Sequence, residues 1–133
     1  MERSSVWIVD SDHWPRAYLR AELIERGYDA EGFVTLTELL VRLALAPARP
    51  ALVVIDLQGQ RPQTSQGAND QPLTRLLGAG FPVLAIGGAT EWEDEGLRTR
   101  PWAGFLRRPL TIGEVANEAD RLLARSEVIE AGQ

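Results

Sequence analysis

The chain is 133 residues long, 44% hydrophobic and 25% charged, with a formal net charge of -5, the size and composition of one globular domain with a single sizeable core. It has no cysteine, one histidine (His13) and fourteen basic residues, all of them arginine. This excludes thiol nucleophiles, disulfides, Cys/His metal sites, His/His relays, Schiff-base lysines and a P-loop lysine, leaving carboxylates, hydroxyls and guanidinium groups for chemistry. The acidic balance argues against gripping a phosphate backbone, so no nucleic acid is expected on this domain. No apolar run resembles a secretory signal or approaches the roughly 18 residues of a membrane span. A cytoplasmic, membrane-free location is therefore the expectation.

In chain order, Val6–Val9 reads as a β-branched and aromatic strand that ends in Asp10-Ser11-Asp12. A helix is expected from Trp14 to Arg26, with Pro15 in its first turn, Gly27 just past its end, and Ala17, Tyr18, Ala21, Leu23 and Ile24 on its apolar face. His13 is expected in the exposed loop before it. A weak strand at Tyr28–Phe33 precedes a leucine-rich helix, about Leu36 to Ala46, opened by Thr35 or Thr37 and stopped by Pro47 and Pro50. Ala51–Leu57 (ALVVIDL) is apolar at successive positions except Asp56, as a strand buried on both faces of a parallel sheet should be. Gln58–Gln71 reads as a surface loop and Pro72–Leu77 as a short helix. Phe81–Ile86 is a second buried strand, ending in Gly87-Gly88. An acidic helix is expected over Ala89–Arg98, a fifth strand over Trp102–Leu106, and a last helix from Ile112 with apolar residues at 112, 115, 116, 119, 122 and 123. Residues 1–125 are expected to form the domain, and residues 126–133 a helix extension or linker stub.

Five strands alternating with five helices imply a doubly wound, flavodoxin-like α/β fold: a five-stranded parallel sheet with helices on both faces. Ligands of such sheets sit at the carboxyl ends of the strands. Those ends carry Asp10, Asp56, Gly87-Gly88 and Arg107-Arg108. Two carboxylates facing one crevice repel each other unless a cation lies between them, and a hard divalent ion such as Mg2+ suits an all-oxygen site.

VWIVDSD, ALVVIDLQ, FPVLAIGG and AGFLRRPLT together resemble the response-regulator receiver domains of two-component signalling, over about residues 5 to 125. The resemblance implies a signalling domain, not an enzyme, that takes phosphate from a histidine kinase and speaks to another signalling protein. It implies that Asp56 stands at the phosphoacceptor position, with Asp10, Asp56, the backbone carbonyl of Gln58 and, by swinging in, Asp12 around a magnesium ion. It matches Gly87 to the family's phosphate-sensing Ser or Thr, Arg108 to its lysine before Pro109, and Phe105 to its switch aromatic.

The departures fall together on the machinery. Ser11 stands where the family has a second acid, so Mg2+ is expected to bind weakly or not at all. Gly87 lacks the reporting hydroxyl. Arg108 keeps the charge but exchanges a compact ammonium for a planar guanidinium fork. As ordinary structural groups, Asp10 and Asp12 would cap the helix that follows, and Arg108 would simply pair with Asp56.

Three readings follow. One is a receiver-type domain with an altered site, acting through protein–protein interaction; another is a fully phosphate-independent interaction module. The third is a flavodoxin-like small-ligand or nucleotide binder, against which stands the acidic loop after the first strand, since it would repel a phosphate. A haloacid-type hydrolase needs a lysine and a second acid where position 58 is Gln. A homodimer is expected through the helix from Ala89, the fifth strand and the last helix, with Glu114, Glu118, Asp120, Arg121 and Arg125 placed for pairing with a second copy.

Overall fold

In the computed structural model the described residues are 3–45, 49–60 and 71–131, with side chains described to Arg125. The strands are β1 (Ser5–Val9), β2 (Asp29–Phe33), β3 (Leu52–Asp56), β4 (Val83–Gly87) and β5 (Gly104–Arg107). The helices are α1 (His13–Glu25), α2 (Leu36–Leu45), α3 (Gln71–Leu77), α4 (Ala89–Glu93), α5 (Glu95–Arg98) and α6 (Ile112–Ala131), with a single 3-10 turn at Leu57–Gly59. All neighbouring strands pair in parallel, in the order β2-β1-β3-β4-β5. The order reverses between β1 and β3, which puts the ends of these two strands, Asp10 and Asp56, at the switch point of the sheet.

The unbroken apolar runs are apolar because both faces of the sheet are covered. Val6, Ile8, Leu52, Val54, Leu84 and Ile86 point to one side, where Leu19 and Leu23 of α1 and Val115, Ala116, Ala119, Leu122 and Leu123 of α6 close over them. Trp7, Val9, Val53, Ile55, Val83 and Ala85 point to the other, against Leu36 and Leu39 of α2, Leu73 and Leu76 of α3 and Leu97 of α5. Strand side chains alternate with a period of two, so each run feeds both cores at once. Each large side chain so buried contributes about 1.5–3 kcal/mol.

Several local expectations change. Tyr18 and Ile24 of α1 point to solvent, and the helix packs on Leu19 and Leu23 instead. Positions 19 and 23 lie one turn apart, and this pair, not the longer apolar list, faces the sheet. His13 is exposed as expected but forms the first residue of α1. The helix expected over Ala89–Arg98 breaks at Asp94, whose carboxylate accepts the Leu97 amide at 3.2 Å and starts α5 afresh. The strands expected over Phe81–Ile86 and Trp102–Leu106 are shifted, to Val83–Gly87 and Gly104–Arg107; Gly27 follows α1 with φ +96, the left-handed geometry a glycine permits, and Thr35 Oγ1 accepts the Glu38 amide at the start of α2. Ala46 and Pro47, which were expected to end α2, residues 61–70 of the expected loop, and residues 132–133 of the tail lie outside the described residues.

At the end of α1, Arg26 donates to Glu22 (2.8 Å) on its own helix and to Asn117 (2.9 Å) and Asp120 of α6. Tyr28 donates its hydroxyl to the same Asp120 at 2.6 Å. Asp120 therefore faces α1, and Glu118 pairs with Arg121 on its own helix.

Candidate functional site

β1 and β3 deliver their terminal carboxylates to one crevice because each strand runs apolar up to its last turn and the first acid falls where the sheet ends. Asp10 and Asp56 are buried, each under a tenth exposed. Asp56 accepts the Gln58 amide at 3.0 Å through Oδ1, which fixes the 3-10 turn that follows β3. Asp10 accepts the Asp12 amide at 2.9 Å through Oδ1, and Arg16 donates to the Asp10 carbonyl at 2.8 Å. Asp12 stands at the N-cap of α1, but its side chain makes no capping bond. The carboxylate that organises this loop is that of Asp10.

Arg108, one residue beyond β5, reaches across the strand ends. Its two terminal nitrogens each bond one oxygen of Asp56, Nη1 to Oδ1 at 3.0 Å and Nη2 to Oδ2. This bidentate fork is the strong form of an ion pair, and a planar guanidinium supplies it where an ammonium cannot. Its amide also donates to Gly87 O at 2.9 Å, tying the end of β5 to β4. Bonding to Asp56 raises the pKa of Arg108, opposed by desolvation. Burial pushes the Asp10 carboxyl above its ordinary value, the Asp12 amide bond pulls it down, the charge of Asp56 raises it further, and Arg108 lowers it.

Around this pair the site is filled. Glu91 of α4 is buried beside Gly87, accepts the Gly88 amide at 2.8 Å, and adds a third negative charge near Arg108. The Phe105 ring leans on Trp92, with centroids 5.3 Å apart, and on Trp102 at 6.4 Å. The Ser11 side chain sits over Gly59, so close that a Cβ there would lie 1.9 Å from Ser11 Oγ. Sequence reasoning missed Glu91, since a glutamate in an acidic helix reads as solvated; the signal was the Gly87-Gly88 pair, which leaves room for it.

A divalent ion at this crevice would compete with Arg108 for the Asp56 oxygens, with Asp10 and the Gln58 carbonyl as further oxygen donors. Both oxygens of Asp56 accept from the guanidinium, Asp10 accepts the Asp12 amide through one oxygen, and Ser11 covers the 3-10 turn. Among the described residues no three acidic, histidine or cysteine side chains cluster as a metal site. Arg108 supplies the positive charge that two facing acids require. An electrophile approaching Asp56 meets a carboxylate whose two oxygens both accept from Arg108.

Five parallel strands in this order, an acid ending β3, and a cation followed by proline at the end of β5 decide the architecture. The chain has the fold of a response-regulator receiver domain. A receiver domain protein from Clostridium thermocellum superposes with a TM-score of 0.75 over 95% of this chain and 98% of its own, at 15% identity. A receiver protein from Burkholderia phymatum does so with a TM-score of 0.69 over 92% and 96%, at 26% identity. The receiver domain of NtrX from Brucella abortus gives 0.70 over 90% and 98%, at 21%. The sequence itself matches no protein-family model and no curated protein. Among the described residues no helix is long and apolar enough to cross a membrane.

Proposed function

We propose that this receiver is a signalling domain of a two-component or phosphorelay pathway whose output runs through protein–protein contacts and whose state is set by the Asp56–Arg108 pair instead of by phosphate. The observation that carries this reading is the bidentate bond, which engages both oxygens of the residue at the phosphoacceptor position. Ser11, Gly87 and Glu91 support it, because each removes or fills a place that phosphate chemistry would use. The partner is a histidine kinase or another signalling protein, and the α4–β5–α6 face is the surface on which a partner or a second copy docks.

The deciding experiment is incubation of the whole chain with acetyl phosphate and Mg2+, followed by intact mass, beside a competent receiver. No adduct is expected on this chain while the control is modified. An acyl phosphate on Asp56 would overturn the reading and favour phosphate uptake with Asp10 assisting. Asp56→Ala, which breaks the pair, is expected to change partner capture or sedimentation, whereas acetyl phosphate leaves both unchanged; an Asp56→Ala chain that behaves as the parent in both would count against the pair as the determinant of state.

A further inference from the structure

A cleft of about 290 Å3 opens between α1 and the start of α6 and shares Asp10 and Arg108 with the charged crevice. The size lies at the small end of ligand pockets, enough for a molecule of one or two rings. Leu19, Ile86 and Val115 line it with apolar surface, and Asp10 lines it as well. One wall is aromatic: Trp14 and Tyr18, one turn apart on α1, stack with centroids 5.8 Å apart and an interplanar angle of 28°. These rings are 62% and 58% exposed, large for aromatic side chains with nothing covering them.

Charge selects what fits. Arg108 also lines the cleft, but its fork is spent on Asp56. Arg16 lies near Asp10 and gives its guanidinium to the Asp10 carbonyl. Among the acids of the crevice Asp10 lines the cleft, and the charge of Arg108 is answered by Asp56. The first turn of α6, which would attract an anion, is already answered by Thr111 Oγ1 accepting the Glu114 amide and by Glu114 itself. The charge left over along the cleft is that of Asp10, and the ring faces of Trp14 and Tyr18 favour a cation too.

We propose that this cleft binds a small aromatic amine, its ring against Trp14 and Tyr18 and its ammonium directed to Asp10. Such a ligand would sit beside the Asp56–Arg108 pair without displacing it, giving the receiver a chemical input apart from phosphate.

The test uses three probes with one ring and three charges: 2-phenylethylamine, benzyl alcohol and phenylacetate. Each is titrated into the 15N-labelled chain, and the Trp14 indole N–H is followed by NMR. The amine is expected to shift this signal saturably, with the neutral and anionic probes about tenfold or more weaker. Trp14→Ala and Tyr18→Ala, both at exposed positions, are expected to weaken the amine about tenfold as read on the backbone amides of α1. Asp10→Asn is expected to abolish the preference for the amine while leaving ring binding in place. No saturable shift with the amine, or phenylacetate binding as tightly as the amine, overturns the proposal. The phosphodonor experiment reads Asp56 separately, so either conclusion can fail without the other.

Discussion

The tip of the Phe105 ring lies 3.1 Å from the point where Gly87 would carry a Cβ, and Glu91 Cβ lies 2.7 Å from the same point. Gly87 is therefore the counterpart of an inward aromatic ring and a buried glutamate, and the three positions form one packing unit. Gly87→Thr, which would place a β-branched side chain in that space, must move Phe105 or Glu91. We expect a loss of about 1–3 kcal/mol from overpacking. Denaturant titration measures it, and a near-ultraviolet circular dichroism change reports the displaced Trp92–Phe105 contact. A variant as stable as the parent, with its aromatic signal intact, would show that the unit is looser than its geometry.

Removing Arg108 leaves Asp56 buried without its counter-ion. Arg108 is itself about one-third exposed, so water screens the loss and Arg108→Ala is expected to lower stability by about 1–3 kcal/mol, less than for a fully buried pair. Arg108→Ala combined with Asp56→Asn should be more stable than Arg108→Ala alone. Additive effects in this double-mutant cycle would show that the two side chains do not act as a pair.

Ser11 and Gly59 make a second fitted contact. With Ser11 Oγ 1.9 Å and Ser11 Cβ 2.6 Å from the added methyl, Gly59→Ala is expected to destabilise by about 1–3 kcal/mol. Ser11→Gly in the same chain should recover most of it, as thermal melting can show; no recovery would place the strain elsewhere.

Asp10 gives a pH dependence of unusual sign. Its folded-state pKa is raised above the ordinary 3.8, chiefly by burial. Between 3.8 and the raised value the native state holds more protons than the unfolded chain, so this group's contribution to stability falls as pH rises through that window. Asp10→Asn keeps an oxygen for the Asp12 amide and removes the titration. The variant is expected to be more stable than the parent at neutral pH and to converge with it in acid. Melting curves at a series of pH values check this, and a variant less stable at neutral pH would contradict it.

Magnesium is expected to leave the chain unchanged. Titration to millimolar Mg2+, followed by tryptophan emission and melting temperature, should give flat curves; a saturable change removed by Asp10→Asn would reinstate a metal at this crevice.

The sheet was legible because burial on two faces writes itself as continuous apolar runs, and Val6–Val9 and Ala51–Leu57 contain little else. The Asp56–Arg108 pairing was legible for a related reason: topology carries the last residues of parallel strands to one edge, so opposite charges there must meet or be separated by something else. The face of α1 was not legible. Its apolar residues outnumber what the sheet can cover, and the helix spends Trp14 and Tyr18 on solvent. Nor was the break at Asp94, where a capping carboxylate competes with helix continuation inside an otherwise helical pattern. Glu91 was hidden because its burial depends on the missing side chain at Gly87, a relation between two elements that no single segment displays.

Arg26, Tyr28 and Asp120 fasten α1 to α6 at one end of their contact, and the aromatic cleft lies at the opposite end. Two rods tied at one end open like a pair of tongs. Whatever enters between Trp14 and Leu110 would spread them about that fixed point, and the displacement would be greatest beside Asp10 and Arg108, where even a small change in spacing bears on the grip upon Asp56.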